Sequence, residues 1–132
     1  MVTGNDATGE HSWVAVRNET QGVPLLPRVR ACRSFLCRLR GLTFRRQLEA
    51  SEGLWLIGQR ESRMDTAIHM FFVFFPIAVV WLDRSGQVVD TCLALPFRPL
   101  YVPARPARDV LEGPPELLDQ VRVGDRLRFG RQ

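Results

Sequence analysis

Lysine is absent from this chain, although the chain is basic. All 18 Lys-plus-Arg positions are arginine, against 14 acidic residues, which gives a net charge of +4. Arginine carries a planar set of donors that suits carboxylate and phosphate groups better than an ammonium group does. A GC-rich genome produces the same bias, so this composition alone assigns no function.

Cysteine and histidine are scarce as well. The three cysteines are an odd number and lack metal-type C-x-x-C spacing, so no disulfide scaffold is predicted. Besides His69 only His11 is present, whereas a zinc site needs several converging ligands. We therefore predict neither a metal site nor another cofactor.

Long apolar runs and a targeting signal are also missing. The longest apolar run, Met70 to Leu82, contains Pro76 and is shorter than the roughly 20 residues that cross a bilayer. The polar N-terminus lacks the basic start and apolar stretch of a signal peptide. These absences predict no membrane span and, by default, a cytoplasmic protein. From the length of 132 residues we expect a flexible tail over 1–11 and a single β-rich domain over 12–132, as a monomer or weak dimer.

Short apolar segments that alternate with turns predict a mainly β fold, a sandwich or barrel of short strands with one or two short helices. Pro24 and Pro27 place any strand over 23–29 at a sheet edge. The clearest helix prediction begins at Cys32, and its i, i+3, i+4, i+7 apolar pattern ends before Gly41. The other expected elements are one helical turn over 114–120 and strands over 13–16, 54–57, 70–75, 77–82, 87–95, 107–111 and 126–129.

Four segments occur in an order and spacing that resemble a known family. They are R-G-L-T-F-R at 40–45, E-G-L-W-L at 52–56, I-H-M through the proline to the aspartate at 68–83, and V-G-D-R-L at 123–127. With them, nearly the whole chain is similar to the widespread prokaryotic family called domain of unknown function 192. The resemblance implies a compact, jelly-roll-like β domain with a short helix before the R-G-L segment, and no established activity. Many relatives are exported, so export with a removed leader stays open.

The apolar centre departs from a common form of that family. Where such relatives carry K-N-T, this chain has Phe71, Phe72 and Val73, and where they carry Asp it has Ala78. The resemblance therefore implies no shared chemistry that needs that carboxylate. The run is typical of strands buried on both faces, and we look for function at its edges, near His69 and the arginines.

The segment from Arg28 to Arg46 concentrates positive charge, with seven arginines and no acidic residue. An anionic ligand or a protein partner could bind there through Arg40, Arg45 and Arg46, with Arg108 as a further candidate. The alternative is a solvated helix face whose arginines pair with nearby carboxylates, each pair contributing about 0 to 1 kcal/mol. Nucleic acid is disfavoured, because aromatic stacking platforms do not alternate with these arginines.

His69 and Asp65 form the second candidate site. They could work as a histidine–carboxylate pair in acid–base catalysis on a carbohydrate or a phosphorylated metabolite, with Arg108 or Arg45 orienting the substrate. The alternative is a structural histidine beside the buried run. Cys92 is expected to be a buried, inert cysteine rather than a nucleophile.

The leading hypothesis is a non-catalytic binding or accessory module, because the sequence contains no coherent catalytic set. A small enzyme built on His69 and Asp65 is the main alternative, and a structural partner in a larger assembly is the third. The enzyme hypothesis requires His69, Asp65 and the orienting arginine to converge on one cleft.

Overall fold

The computed structural model describes residues 13–33, 52–70 and 73–130 of the chain. Within these ranges, seven strands form one sheet in the spatial order β5-β4-β6-β3-β2-β1-β7. Neighbouring strands run antiparallel, except that β2 and β3 are parallel. The strands are β1 Trp13–Asn18, β2 Val23–Cys32, β3 Glu52–Ser62, β4 Ile77–Leu82, β5 Val88–Ala94, β6 Ala107–Gly113 and β7 Leu127–Gly130, and a 3₁₀ helix spans Pro115–Gln120.

The sheet curls until its two ends meet. The N–H of Val88, at the start of β5, donates to the carbonyl of Asp125 at 2.8 Å, and the N–H of Leu127, at the start of β7, donates to the carbonyl of Gly86 at 2.9 Å. Gly86 has φ +87, and a Cβ there would lie 2.7 Å from the Leu127 oxygen, so this contact requires glycine. The outcome is a barrel-like, mainly β architecture, which confirms the predicted fold class.

Both faces of strand β4, which lies between β5 and β6, are buried. Every residue of Ile77–Leu82 is buried, and its side chains alternate between two apolar clusters. Ile77, Val79 and Trp81 join the cluster on the outer face of the sheet, whereas Ala78, Val80 and Leu82 join the cluster that the 3₁₀ helix covers. The apolar run from Ile77 is therefore core packing, as its composition predicts.

Three local predictions were wrong. β2 lies inside the sheet rather than at its edge. Its two prolines are tolerated because β3 pairs only with Arg28 to Cys32, so the proline-containing half of β2 has a hydrogen-bonded neighbour on one side only, β1. The described part of 70–75 is not a strand, since Val73 and Phe97 both donate to the Met70 carbonyl in turn-like contacts.

The third wrong prediction concerns Cys32, which ends β2 instead of beginning a helix. It is also disulfide-bonded, although the sequence predicted no disulfide scaffold. The rest of the predicted helix and Gly41 lie outside the described residues.

Two connecting segments cover the outer face of the sheet. The extended stretch at Ile68 pairs with Tyr101 through two backbone hydrogen bonds of 2.8 Å. The loop after β3 is fixed from below, since the indole Nε1 of the buried Trp81 donates to the Thr66 carbonyl at 2.8 Å. These contacts hold the 63–69 loop over β3 and β6. None of the helices in the described ranges is long and apolar enough to span a bilayer.

Candidate functional site

A cleft of about 620 Å³ opens on the outer face of the sheet, between β3, β6 and the 63–69 loop. This is within the usual volume range of small-molecule sites. We call it the β3–β6 cleft. Its lining is apolar at Leu56, Gly58, Ala67, Ile68 and Val110 and polar at Gln59, Arg60, Asp65, Thr66, His69 and Arg108.

Arg108 is held at the cleft by its neighbour in the chain. Its Nε donates to Oδ1 of Asp109 at 2.9 Å and its Nη2 to Oδ2 at 3.1 Å. The Arg108 side chain is 31% exposed, whereas that of Asp109 is 5% exposed. The hydrogen bonds to Asp109 raise the pKa of the Arg108 guanidinium above its ordinary value. The cleft therefore contains a guanidinium whose position is fixed by a buried carboxylate.

The Asp109 carboxylate is itself held by two further donors from β3. The indole Nε1 of Trp55 donates to Oδ2 at 3.0 Å, and the backbone N–H of Gly58 donates to Oδ1 at 3.2 Å. The Trp55 ring is stacked on Phe129, with 4.0 Å between the ring centroids. We call Asp109, Trp55 and Gly58 the Arg108 brace.

An irregularity between β3 and β6 makes the brace possible. Ile57 of β3 pairs with Asp109 of β6, and the next pair is Ser62 with Ala107. The segment of β3 between these two pairs, 58–61, therefore lies opposite a single residue of β6, Arg108. In a regular strand the side chains of Arg108 and Asp109 would point to opposite faces. The bulge allows the Arg108 side chain to bend towards Asp109 and to form its two hydrogen bonds there. A Cβ at Gly58 would overlap the carbonyl oxygen of Arg108, so the close approach requires glycine.

The 63–69 loop supplies the opposite wall of the cleft. Asp65 accepts a hydrogen bond from Nε of Arg60 at 2.9 Å, and this ion pair is largely exposed. Thr66 is buried, and its hydroxyl donates to the Ser62 carbonyl at 2.7 Å. His69 lies in the extended stretch between the buried Ile68 and Met70.

The structure brings three of the sequence-predicted site residues together. Asp65, His69 and Arg108 all line the β3–β6 cleft, which is the convergence that the enzyme hypothesis requires; their catalytic or binding roles stay predictions. The other three, Arg40, Arg45 and Arg46, lie outside the described residues.

Cys92 does not belong to this lining. It is half-buried on β5 and packs against the outer cluster. Desolvation, with a smaller effect of the Asp90 charge, raises the pKa of its thiol to about 11. It is therefore protonated at neutral pH, which makes it a poor nucleophile.

Sequence reasoning missed the residues that support Arg108. Asp109 lies in none of the four family segments, and the E-G-L-W-L segment that contains Trp55 implies no contact with it, because their hydrogen bond depends on pairing between residues far apart in the chain. The Arg-Asp sequence at 108–109 was a weak signal, because the side chains of successive strand residues point to opposite faces and do not normally pair. Glu112 was also missed: it is 3% exposed in the core.

The fold and the cleft define a small protein built on one curled β-sheet, with a polar cleft on its outer face. The DUF192 family profile, described as "Uncharacterized ACR, COG1430", matches residues 16–129. The chain belongs to this family. A UPF0127 protein of Pyrococcus furiosus is 34% identical over 116 residues, covering 86% of this chain and 97% of that protein. A UPF0127 protein of Thermococcus kodakarensis is 37% identical over 106 residues, covering 80% of this chain and 66% of that protein.

Solved structures share the fold at low sequence identity. A protein of unknown function from Novosphingobium aromaticivorans matches with a TM-score of 0.72 and 20% identity, over 88% of this chain and 83% of that one. A Sinorhizobium meliloti protein, described provisionally as a transcription regulator, matches with a TM-score of 0.77 and 20% identity, over 89% of this chain and 92% of that one. At this identity the likeness concerns the fold alone.

Proposed function

We propose that this chain is a non-catalytic binding module that holds a small anionic molecule in the β3–β6 cleft. The observation that carries the proposal is the fixed Arg108, held at the cleft by two hydrogen bonds to the buried Asp109. A guanidinium positioned before the ligand arrives loses little conformational entropy on binding, which favours affinity.

The chemistry of the lining favours binding over covalent catalysis. In the described part of the lining, Thr66 carries the one hydroxyl and no residue carries a thiol, and the Thr66 hydroxyl donates to the Ser62 carbonyl at 2.7 Å. Among the described residues of the lining, none is Phe, Tyr or Trp, so the stacking platform that sugar rings often use is missing from that part of the site. These features disfavour the carbohydrate alternative.

The proposal is tested by measuring the melting temperature with increasing concentrations of inorganic phosphate and of small carboxylates. We expect at least one of these anions to raise the melting temperature of the wild type in a saturable way, and Arg108→Gln to remove that rise. Arg128→Gln is the matched control, because Arg128 also pairs with a carboxylate, Glu19 at 3.2 Å, but lies outside the cleft lining. No saturable rise with any anion would contradict the proposal.

Anion binding by the arginine-rich segment stays a separate prediction. Arg40→Ala and Arg45→Ala variants, measured in the same titrations, separate the two sites. If binding depends on Arg40 and Arg45 but not on Arg108, the anion site belongs to the arginine-rich segment, and the cleft proposal is wrong.

A small enzyme is the second candidate, supported by the common cleft of His69, Asp65 and Arg108. In this alternative His69 moves a proton to or from a bound phosphorylated metabolite while Arg108 holds its anionic group. Turnover of a panel of phosphate esters that is lost in both His69→Gln and Asp65→Asn would support it. Binding that persists in His69→Gln without turnover in the wild type would favour the binding module.

A further inference from the structure

We infer that the ligand of the β3–β6 cleft is a monocarboxylate with a small apolar body, and that Asp109 is the positioning residue for its recognition. This inference rests on the proposed function, because it names the class of anion that the same site takes.

The floor of the cleft is apolar. Leu56 on β3 lies opposite Val110 on β6 in the ladder, and Ile68 comes from the covering segment. These side chains are 6%, 2% and 7% exposed, respectively. Because these side chains are already almost fully buried, the apolar gain comes from the ligand: an alkyl or similar group placed against this floor would be removed from water.

One edge of the Arg108 guanidinium has no acceptor among the described residues. Asp109 accepts hydrogen bonds from Nε and Nη2, and within the described ranges no hydrogen bond uses Nη1 or the second hydrogen on Nη2. Two adjacent guanidinium N–H groups match the two oxygens of a carboxylate in one plane. This edge therefore suits a planar anion with two oxygens.

The charges around Arg108 favour one negative charge over two. The buried Asp109 already compensates Arg108, and Asp65 compensates Arg60 at the mouth of the cleft. The charges of Glu61 and Asp83 also act on Arg108. With little uncompensated positive charge, a phosphate dianion would be repelled by these carboxylates more strongly than a monocarboxylate.

Asp109 sets the orientation of Arg108 without lining the cleft itself. From the described part of the chain its two oxygens accept four hydrogen bonds, two from Arg108 and one each from Trp55 and Gly58. Replacing Asp109 by Asn keeps the shape but removes the charge and one acceptor oxygen. Arg108 would then lose its fixed orientation, and recognition of the carboxylate would weaken while contact with the apolar floor would not.

The test is isothermal titration calorimetry on the full chain with sodium hexanoate, hexanamide and inorganic phosphate. For the wild type we expect hexanoate to bind at least about tenfold more tightly than either of the other two, and affinity to rise about fourfold per CH₂ from acetate to hexanoate. Asp109→Asn should weaken hexanoate at least about tenfold and hexanamide less than about twofold. Arg128→Gln should change neither.

Each outcome separates the inference from the proposed function. Tighter binding of phosphate than of hexanoate, lost in Arg108→Gln, overturns the carboxylate class but supports the anion cleft. Absence of binding for all anions overturns both. Unchanged hexanoate binding in a folded Asp109→Asn variant overturns the positioning role. If that variant does not fold, the wild-type chain-length series and the hexanoate-to-hexanamide ratio still decide the ligand class.

Discussion

At the residue scale, Glu112 is a carboxylic acid buried in the described core. It lies on β6 between Leu54 of β3 and Val79 of β4, and within the described part of the chain its buried Oε1 has no hydrogen-bond partner. Burial raises the pKa of this carboxyl to about 7. Burial shifts this equilibrium towards the neutral carboxyl, because the charged form is poorly solvated in the core.

This residue predicts a pH-dependent stability. The folded protein holds the Glu112 proton more tightly than the unfolded chain, so the stabilisation is complete below pH 4.5, the ordinary pKa of the group, and is lost as the pH rises through about 7. Between pH 5 and pH 8 the wild type should lose about 2 to 3 kcal/mol of unfolding free energy relative to Glu112→Gln.

Urea denaturation at both pH values measures this difference. Glu116→Gln is the control, because Glu116 is exposed on the 3₁₀ helix and should follow the wild type. Equal pH dependence of the wild type and Glu112→Gln would show that the carboxyl is paired or solvated in solution.

At the scale of elements, the contact between β3 and β6 at Gly58 determines the geometry of the cleft. Any larger residue at 58 must displace the Arg108 carbonyl, and with it the brace. We predict that Gly58→Ala loses at least about 2 kcal/mol of unfolding free energy, since backbone has to move. It should also abolish the anion-dependent rise in melting temperature.

Gly130→Ala provides the matched control in β7, because a Cβ at Gly130 would meet no atom within 4 Å. Its unfolding free energy should stay within about 0.5 kcal/mol of the wild type. A Gly58→Ala variant as stable as Gly130→Ala would contradict the close approach of β3 and β6.

The elements that could be predicted from the sequence are those fixed by local signals. The turn at Asp83 to Gly86 and the strands on either side follow from turn chemistry and apolar runs. The interior position of β2 could not be predicted, because its parallel partner β3 begins at Glu52, far along the chain. Local proline content gave the wrong position for this reason.

The candidate site was predictable only in part. Asp65, His69 and Arg108 stood out as charged or titratable residues near the ends of apolar segments, and they line one cleft. The brace that holds Arg108 was not predictable, because Asp109 reaches Trp55 and Gly58 only through the irregular pairing of β3 with β6. The spacing of residues in the sequence does not indicate where a bulge forms between strands that are far apart in the chain.

At the scale of the whole molecule, the barrel-like closure depends on a polar network at Asp125. Its Oδ2 accepts hydrogen bonds from Asn18 at 2.8 Å, from Gln21 at 2.7 Å and from the N–H of Arg122 at 3.0 Å. Burial alone would raise the pKa of this carboxyl, but these hydrogen bonds, with the Arg122 charge, lower it below its ordinary value. The network links the turn after β1 to the turn before β7.

This network predicts a large cost for removing its carboxylate. Asp125→Ala leaves the fully buried Asn18 without one acceptor and should cost about 2 to 3 kcal/mol at pH 7. Because the folded-state pKa is lowered, this contribution is present above the ordinary pKa of 3.8 and is lost as the pH falls below it.

Urea denaturation at pH 7 and pH 3 measures both effects, with Asp119→Ala at an exposed position as the control. The difference between wild type and Asp125→Ala should shrink at pH 3. A difference that is the same at both pH values would mean that the Asp125 charge does not contribute to closure.

The most direct test of an anion site in the β3–β6 cleft is a titration of the ¹⁵N-labelled chain with sodium hexanoate, followed through its backbone amide shifts. We predict saturable shifts that concentrate at 56–60, 65–69 and 108–110, with the Gly58 amide among them because it donates to Asp109. Shifts that concentrate in the arginine-rich segment 28–46, or no saturable shifts at all, would contradict a ligand held by Arg108.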